Sequence, residues 1–63
     1  MASKVYDLRT GQLHAEYTCS PREAVVAAFE QKNGNFNTWE YDPGKAEVSG
    51  RFVNCGDFTC RIA

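Results

Sequence analysis

Sixty-three residues, 7.1 kDa, make one domain at most, and a chain of this size buries only about 60% of the surface it exposes when unfolded, so its core is thin. With 43% hydrophobic residues, 13% aromatic residues and a formal net charge of -1, it resembles neither a disordered chain nor the basic chain that nonspecific nucleic-acid binding favours. The longest apolar run, residues 24–29, is too short to cross a bilayer or to form the core of a signal peptide.

In residues 4–19, Tyr6 and Leu8 alternate with Val5, Asp7 and Arg9. Beyond Thr10-Gly11, Leu13, Ala15, Tyr17 and Cys19 alternate with His14, Glu16 and Thr18. This period of two predicts two strands, each with one buried face, joined by a glycine turn. A two-residue loop pairs Leu8 with Leu13 and Tyr6 with Ala15, and a four-residue loop pairs Tyr6 with Leu13. Both gather the apolar set on one face, whereas a three-residue loop sets Leu8 against Gln12 and splits it, so that length is rejected.

Ser20-Pro21-Arg22-Glu23 predicts the start of a helix. Ser20 caps it, Glu23 three residues on completes a capping box, and Pro21 stands where a missing N–H costs nothing. The helix runs to Gln31 or Lys32, with Gly34 supplying the left-handed residue past its end. Val25, Ala28 and Phe29 form its buried stripe, and Val26 widens it.

Residues 35–42 admit two readings: a short strand over 38–41, or an irregular loop that drops its aromatic side chains onto the core. Pro43-Gly44 then predicts a type II turn. In residues 47–62, a three-residue loop Asn54-Cys55-Gly56 pairs Phe52 with Phe58, Gly50 with Cys60 and Val48 with Ile62, collecting every apolar residue on one face.

The resulting order is β-β-α-(β)-β-β. It is an α+β fold, a single helix packed on an antiparallel sheet of four or five strands. It forms one small domain over residues 1–63, with 1–3 as a flexible N-terminus. The predicted core is Tyr6, Leu8, Leu13, Ala15, Tyr17, Val25, Ala28, Phe29, Val48, Phe52, Phe58, Cys60 and Ile62, with Trp39 closing one end.

Three cysteines and one histidine invite a zinc reading. His14 and Cys19 differ by five positions, which points them to opposite faces of a strand, and Cys55 is expected at a turn tip away from Cys60. Cys19 and Cys60 are therefore expected as small buried hydrophobes, and no metal or cofactor is assigned. The odd cysteine count and the plain Met-Ala-Ser-Lys start argue for free thiols and a cytoplasmic location. His14, with Asp7 across the hairpin, has no serine or cysteine placed to use it, so no catalytic residue is assigned and an enzyme is not expected.

Phe36, Trp39 and Tyr41, set among Asn33, Asn35, Asn37 and Thr38, are the candidate partner-contact residues. Glu40, Asp42 and Glu47 make that stretch locally acidic, which favours a protein partner over a nucleic acid. The strand at residues 4–9 carries no proline and no evident bulge, so as a sheet edge it can pair with a second copy. Asp7 and the residues up to Phe29 resemble the hairpin-then-helix opening of small DNA-binding modules, over less than half the chain and without their basic surface; no residue role carries over. The expected function is a non-enzymatic protein-interaction module, itself among its partners as a homodimer. The alternatives are a nucleic-acid-binding accessory domain and a small thiol or metal-binding protein. No membrane association is expected.

Overall fold

The first hairpin joins β1 (Ser3–Asp7) to β2 (Leu13–Tyr17) in the computed structural model, which describes residues 2–34 and 42–62. Next to the turn Tyr6 faces Leu13, the register of the four-residue loop. Asp7 N–H donates to Gln12 O at 3.0 Å, and Gly11 N–H donates to Asp7 O at 2.7 Å. One step further the register slips, so that Val5 faces Ala15 and Ser3 faces Tyr17, leaving His14 as the extra residue of a bulge. The bulge overturns the expected single apolar face. Val5, Ala15 and Tyr17 turn toward the helix, while Tyr6 and Leu13 turn away from it.

Helix α1 (Pro21–Lys32) begins where its capping signal predicts. Ser20 Oγ accepts from Glu23 N–H at 3.5 Å and donates to the Glu23 carboxylate at 2.9 Å. Past the end of the helix, Gly34 takes a φ of 85° and its N–H donates to Gln31 O at 3.0 Å. Burial is wider than the predicted stripe, covering Ala24, Val25, Val26, Ala27 and Ala28 in succession. One side lies on the sheet, close because alanine keeps the approach short. Another meets the 3₁₀ turn Pro43–Lys45, where Lys45 Nζ donates to Glu30 Oε1 at 3.1 Å. This turn replaces the predicted type II turn. Asp42 Oδ1 accepts from Gly44 N–H at 2.9 Å and Asp42 O from Lys45 N–H at 3.1 Å, and Gly44 has no positive φ. The strand predicted at 38–41 lies outside the described residues.

The C-terminal part is a three-stranded meander, β3 (Glu47–Ser49), β4 (Phe52–Cys55) and β5 (Phe58–Arg61), where one long hairpin is predicted. Its turns have two residues each, Gly50-Arg51 and Gly56-Asp57, with glycine first at φ of 60° and 59°. Glycine in that place is the II′ arrangement, whose twist matches that of the strands it joins. Phe52 therefore faces Arg61 instead of Phe58, and Cys55 faces Phe58 from inside a strand, buried, not exposed at a turn tip.

The five strands form one antiparallel sheet in the order β2-β1-β5-β4-β3. β1 lies between β2 and β5, so it is not an edge; the edges are β2 and β3. The helix crosses β1, β5 and β4. Between them are Val5, Val25, Val26, Val53, Phe58 and Cys60, all enclosed. Each large apolar side chain buried there contributes about 1.5–3 kcal/mol. Of the predicted core, Val25, Ala28, Phe58 and Cys60 are in place, and Ala15, Tyr17 and Phe29 are partly buried. Tyr6, Leu8, Leu13, Val48, Phe52 and Ile62 are exposed instead, and Trp39 lies outside the described residues. Among the described residues, no helix is long and apolar enough to cross a membrane.

Candidate functional site

With α1 on one side, the described elements leave the second face of the sheet open. The pairings assemble that face row by row. Leu13, Tyr6, Thr59, Asn54 and Glu47 follow one another across β2, β1, β5, β4 and β3. About 7 Å along the strands lies the next row, where Glu16 faces Lys4 and Arg61 faces Phe52, which faces Ser49. Leu8, just past the end of β1, is held there by its N–H donating to Asp57 O at 2.8 Å.

Four large apolar side chains stand on this face with substantial exposure: Tyr6 at 37%, Leu8 at 54%, Leu13 at 49% and Phe52 at 47%. A hollow of about 300 Å³ lies among Leu8, Phe52, Ser49, Asn54 and Thr59. Asn54 Oδ1 is buried beside it and has no hydrogen-bond partner among the described residues. A larger cleft of about 1000 Å³ opens at the end of the sheet near the start of α1, with Lys4, Tyr6, Phe52 and Arg61 on its open-face side.

The other end of the sheet is held by surface ion pairs. Lys32 Nζ lies 2.9 Å from Asp57 Oδ2, and Arg9 Nε lies 3.7 Å from Asp7 and 3.8 Å from Asp57. Asp7 Oδ1 also accepts from Arg9 N–H at 2.8 Å; that bond, with the Arg9 and Lys32 charges, holds the carboxyl below its ordinary value of 3.8. The His14 ring packs at 4.6 Å from Phe58, on the side away from Tyr6 and Leu13, and the four-residue loop sets Gln12 rather than His14 opposite Asp7.

Burial pushes all three thiols above their ordinary value of 9.0, aided by the Glu23 carboxylate at Cys19, by Glu30 at Cys55 and by Cys19 at Cys60. They are neutral at neutral pH, the state of structural cysteines. No group of three metal-ligating side chains comes together among the described residues.

Phe36, Trp39 and Tyr41 lie outside the described residues. Sequence reasoning placed Tyr6, Leu8, Leu13 and Phe52 in the core and so missed the open face they form. The signal that finds it is the competing parity, Val5 in β1 and Val53 in β4, which supplies a β-branched inward face beside each aromatic residue. Comparison with protein-family models, with curated proteins and with solved structures finds no match to this chain.

Proposed function

We infer that this chain is a non-enzymatic protein-interaction module and that it binds through the open face of the sheet. The observation that carries the reading is the exposure of Tyr6, Leu8, Leu13 and Phe52 together on one face. Single exposed apolar residues are ordinary, but a contiguous apolar patch marks a surface that is covered when the protein works. A second copy of the chain is one such cover, since two sheets stacked face to face make a sandwich with the ordinary spacing of about 10 Å.

A double variant, Leu13→Ser with Phe52→Ser, tests the reading. Both side chains are about half exposed, so unfolding free energy should fall by no more than about 1 kcal/mol. Binding of a hydrophobic dye by the native protein, and any concentration-dependent association seen by sedimentation, should fall sharply. A loss of several kcal/mol would identify the face as internal packing surface and remove the reading.

A further inference from the structure

What covers the open face follows from its size, its charge and its symmetry, on the premise that the chain is an interaction module binding there. The molecule spans 27 × 21 × 20 Å and exposes 4257 Å², so one broad side of it, a sixth, is about 700 Å². Two copies laid face to face would cover about 1400 Å², inside the range of about 1,200–2,000 Å² for stable specific interfaces.

The charges on the face cancel. Lys4 and Arg61 stand against Glu16 and Glu47 in its two rows, and Lys4 faces Glu16 directly across the β1–β2 pair. A face so balanced selects no partner by net charge and does not repel its own copy. Pairing of copies edge to edge has less to offer. The edge strand β2 carries the bulge at His14 and β3 has three residues, and both features blunt a sheet edge.

Symmetry supplies the register. β5 is the middle strand of five, with β1 and β4 on either side. A two-fold axis along β5, midway between two stacked copies, lays β1 of each over β4 of the other. In the first row that brings Tyr6 over Asn54 of the second copy, and Asn54 over its Tyr6, with Thr59 on the axis. Asn54 Oδ1 is the buried acceptor with no partner among the described residues, and the Tyr6 hydroxyl is a donor. The last torsion of asparagine is broad, so the amide can turn that oxygen toward the face. In the second row Phe52 lies over Lys4, whose stem and ammonium suit an aromatic face.

We propose that the chain forms a two-fold homodimer through the open face, the two sheets stacked about 10 Å apart with their helices outermost. β1, β5 and β4 make its centre. β2 and β3 form its rim, where Glu16 and Glu47 keep their water. The two Arg61 side chains approach each other toward the end of the axis, so added salt tightens the dimer.

The test uses the full chain. Sedimentation equilibrium should fit a monomer–dimer equilibrium that shifts toward dimer as salt is added. In a sample mixing isotope-labelled and unlabelled chains, filtered NOEs should link the Tyr6 ring of one copy to Asn54 and Thr59 of the other. Tyr6→Phe keeps the ring and removes both hydroxyl donors from the dimer. It should weaken association about tenfold and leave the unfolding midpoint of the monomer nearly unchanged. Thr59→Arg, which sets two more cations face to face on the axis, should leave a folded monomer.

A wild-type chain that is monomeric at every concentration would overturn the proposal; if its open face still binds the hydrophobic dye, the interaction-module reading stands. A dimer whose NOEs run between β2 or β3 edges would also overturn it, as would a dimer unchanged by Tyr6→Phe, loosened by salt or retained in folded Thr59→Arg. If Thr59→Arg does not fold, the Tyr6→Phe comparison decides alone. Loss of dye binding in the Leu13 and Phe52 variant decides the broader reading separately.

Discussion

At Gly56, with a φ of 59°, a Cβ would sit 2.6 Å from Phe29 Cε1 and overlap the ring edge. Gly11 has a similar φ, 74°, but open space around the added atom. The two positions therefore separate backbone strain from packing. Gly11→Ala should cost about 1–2 kcal/mol, the left-handed penalty alone. Gly56→Ala should cost about 2–4 kcal/mol, because overpacking against Phe29 adds to it. Urea midpoints of the two variants check this, and equal losses would show that Phe29 moves aside freely.

The ionisable side chains set opposite limits on pH. Asp7 has a native value below 3.8, so its stabilisation is present above 3.8 and is lost as pH falls through the native value. Cys55 and Cys60 have native values above 9.0, so their contribution is present below 9.0 and is lost as pH rises through those values. Denaturant midpoints measured from acid to alkaline pH should form a plateau that falls at both ends. Asp7→Asn should flatten the acid limb and leave the alkaline limb unchanged.

Helix α1 owes its position to its first turn, where Ser20 Oγ meets both the N–H and the carboxylate of Glu23. Ser20→Ala should lower stability by about 1 kcal/mol, whereas Ser20→Asp, which retains a cap, should lose much less. A denaturant midpoint unmoved by Ser20→Ala would place the helix start elsewhere. The strands behave differently from the helix, because their turns are less local in their effect. Turns are recognisable in sequence at Thr10-Gly11 and around Gly56, yet the three-residue loop expected at 54–56 is a two-residue turn one step on, and each loop length determines every pairing behind it. A bulge at His14 and a two-residue turn at Gly56-Asp57 were enough to exchange the inner and outer sides of β1 and β4.

A single helix on a five-stranded sheet makes a two-layer molecule in which one sheet face has no second helix among the described residues. The first and last strands, β1 and β5, pair in the middle, so the sheet closes around contacts far apart in sequence. This arrangement leaves β2 and the three-residue β3 at the edges and turns Tyr6, Leu13 and Phe52 outward. The apolar side chains of the proposed interaction surface thus come from β1, β2 and β4 together and are carried by no single motif.

The sequence alone determined the α+β class, the bounds of α1 and the left-handed glycine at Gly34. Those features depend on residues within a few positions of one another: a capping hydroxyl, a carboxylate one turn on, a backbone angle that a Cβ would hinder. It left open which face of each strand is buried. Tyr6 beside Val5 and Phe52 beside Val53 give both parities an apolar claim, so alternation alone cannot choose between them. The landing of α1 on β1, β5 and β4 broke that tie, since the flat valines and Phe58 fill the narrow space beneath an alanine-rich helix and the larger Tyr6 and Phe52 stand on the open side.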